Sequence, residues 1–150
     1  MNALQQNTNT SIDYRQAIQT AEDVMKTLPQ VTLEVVHHFS PGIYAREIRI
    51  PAGVALTGHI HKTEHLCIIS AGLIEIADDN GVKLICAPYT FISKPGDKRL
   101  GVTLADTVFT TIHATDKTNI EELESDLVCA SHEEYERFFI EQNKIIEGIQ

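Results

Sequence analysis

A chain of 150 residues with 43% hydrophobic content is the size of one ordinary domain and long enough to bury a real core. No apolar run approaches the roughly 20 residues that a membrane helix needs. The net charge of -9 argues against a nucleic-acid polymer as partner, because an acidic surface repels phosphate.

The opening stretch, Met1–Thr10, is rich in Asn, Gln and Thr and lacks the basic start and apolar core of a secretory signal. Residues 1–12 are expected to form a flexible arm and 13–150 a single domain. Apolar positions Ile12, Ala17, Ile18, Ala21, Val24, Met25 and Leu28 then recur at helical spacing, with Thr10 or Ser11 as candidate N-cap and Pro29 as a stop.

From Val31 to His113 short β-branched stretches alternate with turn signals such as Ser40-Pro-Gly, Pro51-Ala-Gly, Ala71-Gly72 and Lys94-Pro-Gly-Asp97. Strands at such regular spacing predict an all-β sandwich or barrel over about 31–113. Asp79-Asn-Gly81, between Leu73–Ala77 and Val82–Cys86, predicts a tight hairpin. Two helices are expected over about 118–147. Asn119–Val128 is acidic and amphipathic, and Ser131 opens the second, with Glu134 at capping-box spacing and Tyr135, Phe138, Phe139, Ile145 and Ile146 as its apolar stripe. Asp116–Gln150 holds ten acidic and three basic residues, so most of the net charge belongs to this end, read as a solvated helix face.

Cys67, Cys86 and Cys129 are odd in number and widely spaced, which predicts free thiols and a cytoplasmic location, the host cytoplasm for a viral chain. Cys67 and Cys86 sit in apolar runs and are expected to act as small core residues.

The informative stretch runs from Gly53 through His59-Ile-His61-Lys-Thr-Glu64-His65 to Gly72. Side chains two apart on a strand share a face, so His59 and His61 are expected to point the same way, with His65 on the next strand. Three converging imidazoles suit Fe(II), Zn, Mn, Ni or Cu and leave coordination positions open. The alternative for His65 is a hydrogen-bonded core histidine. Arg46 alternates in phase with Ile48 and Ile50 and so points inward, where it needs an anionic partner: a ligand, or Glu47, Glu64 or another barrel carboxylate. His37 and His38 are read as structural and His132 as a solvated helix residue.

Gly53, His59, His61 and Gly72 fall on the positions of the first cupin motif, and the chain resembles the cupin superfamily over about 20 residues, with His65 where the family has Glu. The resemblance implies a mainly β, double-stranded β-helix (jelly-roll) barrel, here with one N-terminal and two C-terminal helices. It implies a metal on His59, His61 and His65 and, since cupins are commonly dimers, a homodimer. The second cupin motif is represented only by Lys94-Pro95-Gly96-Asp97-Lys98-Arg99, in which Arg99 or Leu100 stands where the family has its last histidine ligand, so the resemblance equally allows a site with no metal. The stretch from His37 to Arg46 followed by the histidine block is also similar to small cupin-like proteins of tailed bacteriophages.

These readings lead to a protein that acts on a small anionic molecule by metal-dependent hydrolysis or oxidation. His59, His61 and His65 would be the catalytic and metal-binding set, with Glu64 moving protons. Tyr44, Arg46, Lys98, Arg99 and His113 would bind the substrate, the arginines through their fixed fork of donors. Two alternatives stay open: a phage protein that binds or cleaves a cyclic nucleotide immune signal without metal, and a structural or assembly protein.

Overall fold

A computed structural model describes residues 13–148. The expected arm, with Thr10 and Ser11, lies outside the described residues. Helix α1 (Tyr14–Met25) begins on Asp13, whose carboxylate accepts the Gln16 backbone N–H at 3.2 Å. It ends three residues before Leu28 and presses Ile18, 2% exposed, against the barrel.

Eight strands build the barrel, in the layout the alternating apolar pattern predicts. They are β2 (Ile43–Ile50), β3 (Ala55–Thr57), β5 (His65–Ala71), β6 (Leu73–Asp78), β7 (Gly81–Cys86), β8 (Tyr89–Ser93), β9 (Leu100–Thr103) and β10 (Thr107–Ala114). A further strand, β1 (Glu34–Ser40), hairpins onto β2. One sheet has the order β1-β2-β10-β5-β8 and the other β3-β9-β6-β7, all antiparallel. The chain thus passes between the sheets while the first barrel strand pairs with the last, the jelly-roll arrangement of two Greek keys. The short strand β4 (Ile60–His61) lies outside both sheets and pairs with β11 (Val128–Cys129), which joins α2 (Ile120–Leu127) to α3 (His132–Glu147).

The turn chemistry follows from the sequence. Asp78 pairs with Gly81, leaving Asp79-Asn80 as a two-residue turn. Gly81 takes the positive φ (116°), and the Asp78 carboxylate accepts the Asn80 N–H at 2.8 Å. Asn119 and Ser131 cap α2 and α3, and Glu134 reaches back past the cap to accept the Ala130 N–H at 2.9 Å.

Alternation then decides what faces inward. On β5, His65, Cys67 and Ile69 are buried while Leu66 is exposed; on β2, Tyr44 and Ile50 are buried while Arg49 is exposed. One end of the barrel closes on Ile69, Ile74, Ile76 and Ile85 with Phe91 and Phe109. Burying such a side chain stabilises by roughly 1.5–3 kcal/mol. Over the other end lies α2, whose Leu123 and Leu127 pack on Tyr44.

Lys98 and Glu22 pin α1 to the barrel. The Lys98 ammonium, nearly buried, pairs with the Glu22 carboxylate, which also accepts the Thr57 hydroxyl at 2.6 Å. Burial alone would raise the Glu22 pKa, but the bonds from Lys98, Thr57 and Lys26 outweigh it and bring it down to about 2. Since the folded value lies below the ordinary 4.5, the pair contributes stability above that pH and loses it as pH falls from about 4.5 toward 2. Lys98→Met is expected to destabilise the protein by about 2 kcal/mol at pH 7, read by urea unfolding. The gap from wild type should narrow as pH falls through that window. A gap that stays constant down to pH 3 would refute the pairing.

Some expectations change. Cys86 is exposed and does not join the core, because it follows the inward Ile85 on its strand. His132 is not solvated: both ring nitrogens are buried without a hydrogen-bond partner among the described residues. The second half of the α3 stripe, including Phe139, Ile145 and Ile146, is exposed. No described helix is long and apolar enough to cross a membrane.

Candidate metal centre and anion pocket

Between the sheets lies a cavity of about 310 Å³, lined by inward residues of β2, β5, β6, β8 and β10 and covered by α2. Strand register stacks its walls in layers. Tyr44 on β2 lies opposite His113 on β10, and beyond Ile112 opposite Leu66 the β10–β5 ladder brings His113 beside His65. One layer deeper, Arg46 faces Thr111, which faces Cys67. Deeper still, Ile48 faces Phe109, which faces Ile69.

The top layer gathers three imidazoles. The ring centroids of His61 and His65 are 4.2 Å apart, those of His65 and His113 4.5 Å, and those of His61 and His113 5.1 Å. One ring nitrogen from each lies within 4.8 Å of the other two. His113 therefore stands in the trio where spacing placed His59. The reason is local backbone: β3 stops at Thr57 and β4 starts at Ile60, so His59 sits in the link between them. It remains exposed and lines the mouth of the same cavity.

The environment keeps the trio neutral at pH 7. Burial, followed by the charges of His65, His113 and His59, pushes His61 down to about 3. Burial, then His65 and Arg46, brings His113 down to about 4. His65 is lowered by burial against the pull of its Thr63 backbone bond. In His65, Nδ1 donates to the Thr63 carbonyl at 3.1 Å, which leaves Nε2 as the lone-pair nitrogen of the neutral ring. In His113, Nε2 lies 3.1 Å from the Thr111 hydroxyl, and Nδ1 is buried with no partner among the described residues. A buried, unpartnered ring nitrogen is costly, and beside two neutral imidazoles a transition metal ion is the partner that would satisfy it. The donor set fits an N-ligated divalent ion, its ring orientation held from behind as metal-binding histidines usually are.

The remaining predicted residues divide. Arg46 lines the cavity and has no ion-pair or hydrogen-bond partner among the described residues; Glu47, on the other face of β2, is held by Arg49 at 2.9 Å and by His38 at 3.5 Å. Arg99 also lines it, but is fixed by Asp97 at 2.9 Å and the Ser93 hydroxyl at 2.7 Å, above the Phe91 ring. Tyr44 bonds His37 Nδ1 at 2.6 Å and stacks between Phe39 and His113. Lys98 is turned away to Glu22, and Glu64 lies exposed on the turn before β5, outside the cavity, so neither joins the site. Glu124 on α2 does line it and went unnoticed inside the acidic C-terminal run.

No family model matches the chain, and no curated protein matches it. Solved structures align with it at low identity. The cupin domain of Cnp3 from Schizosaccharomyces pombe is 17% identical over 67% of this chain and 70% of its own, with a TM-score of 0.48. A cupin superfamily protein from Desulfitobacterium hafniense is 10% identical over 59% of this chain and 83% of its own, at 0.49. KdgF from Halomonas sp. is 12% identical over 61% and 86%, at 0.47. The fold assignment rests on the strand pairing described above.

Proposed function

We propose that this chain is a cupin-type metalloprotein acting on a small anionic molecule, with one divalent ion on His61, His65 and His113. The observation that carries this reading is the convergence of three imidazoles in one cavity, one of them with a buried nitrogen that has no partner among the described residues. A bound ion of the Fe, Zn, Mn or Ni type supplies Lewis-acid polarisation of a ligand oxygen or a more acidic water. The protein's own residues do the rest. Arg46 offers the cationic fork, and Arg99, its charge balanced by Asp97, offers shape rather than net charge. The isoleucine floor excludes water and strengthens each polar contact above it. His59, at the mouth, is placed to exchange a proton with a ligand entering the cavity.

Equilibrium dialysis against Mn, Fe(II), Ni and Zn, followed by elemental analysis, tests the metal. One retained ion per chain is expected, and none for any of the four would remove the metalloprotein reading.

A further inference from the structure

Building on the metal reading, we infer that the ligand is a compact monocarboxylate with an apolar body: its carboxylate on Arg46 beside the histidines, its hydrocarbon part on the isoleucine and phenylalanine floor. Charge sets the headgroup. Arg99 is paired with Asp97 and Lys98 with Glu22, so Arg46 is the one cationic side chain lining the cavity that has no anionic partner among the described residues. A single planar guanidinium matches a carboxylate through two parallel hydrogen bonds.

The layering sets the body. On β2 the inward residues after Arg46 are Ile48 and Ile50; Phe109 stands beside Ile48 on β10, and Ile74 comes from the facing sheet. None of these can hydrogen-bond a sugar or a base, and burying unpaired polar groups against them is costly. Size agrees. A cavity of about 150 Å³ holds one benzene, so about 310 Å³ has room for roughly a dozen non-hydrogen atoms. A nucleoside monophosphate has about twice that number.

The test uses metal-loaded protein and isothermal titration with phenylpropionate, phenylpropanol and adenosine monophosphate. Phenylpropionate is expected to bind roughly tenfold or more tightly than the alcohol of the same body, the difference expected of a charge-assisted hydrogen bond. Adenosine monophosphate should neither bind nor compete. In Arg46→Gln the preference for acid over alcohol should disappear while metal content stays at the wild-type value. Equal binding of acid and alcohol by wild type, tighter binding of adenosine monophosphate, or an unchanged preference in Arg46→Gln would each overturn the assignment and leave the metal reading standing. If dialysis instead finds no metal while the Arg46-dependent preference persists, the metal reading fails and the ligand class holds.

Discussion

Replacing His113 with alanine is expected to abolish metal retention, whereas His59→Ala keeps one ion per chain. The contrast follows from register. His113 shares the inward phase of β10 with Phe109 and Thr111 and reaches His65 across the β5 ladder, while His59 lies in the link between β3 and β4. Removing one of three ligands should weaken binding by at least about a hundredfold, the upper range found for mere supporting groups around a metal. His61→Ala and His65→Ala should match His113→Ala. The measurement is dialysis and elemental analysis on variants shown by circular dichroism to retain their β signal. Loss of metal in His59→Ala with retention in His113→Ala would return the site to the His59, His61 and His65 set.

Gly72→Ala is expected to be the most damaging single-methyl change. Gly72 sits at φ 101°, where L side chains are strained, and a Cβ there would run into the Asp106 carbonyl and Thr107 at the crossing from β5 to β6. Because the obstacle is backbone, the crossing itself must shift. A loss of about 3 kcal/mol or more is expected, or a melting temperature lower by roughly 10 °C. Gly53→Ala provides the comparison. It has a positive φ of 77° but open space around its added Cβ, so strain alone applies, at about 1–2 kcal/mol. Equal effects from the two substitutions would show that the contact at position 72 is relieved without cost.

Most of the fold was legible because its punctuation is local. Glycines and prolines flank β2, β3, β6, β7 and β8, Asn119 and Ser131 announce their helices, and the inward phase of β2 follows from Ile48 and Ile50. Spacing paired His61 with His59 and put His65 on the next strand, with its inward facing left open. His113 was singled out but not as part of the trio. The run Thr107–His113 is apolar in both phases, with Val108 and Ile112 on one face and Phe109 on the other, so only pairing with β2 and β5 fixes which face turns inward.

The departures have equally local causes. Period-two reasoning over His59-Ile-His61 assumed one continuous strand, and the break at Gly58-His59 ended that assumption. Lys98 and Arg99 are adjacent in the link before β9 and turn different ways. The arginine reaches the cavity, while the lysine meets Glu22 of a helix some 75 residues earlier, a contact that no local pattern encodes. Glu124 was hidden among like charges, since nothing in an acidic run marks which residue α2 will turn toward the barrel mouth.

The most direct measurement is X-ray absorption fine structure at the metal edge of the loaded protein, compared with His59→Ala. Three imidazole ligands with an unchanged spectrum in the variant are predicted. Fewer than three imidazoles in wild type, or the loss of one in His59→Ala, would contradict the centre formed by His61, His65 and His113.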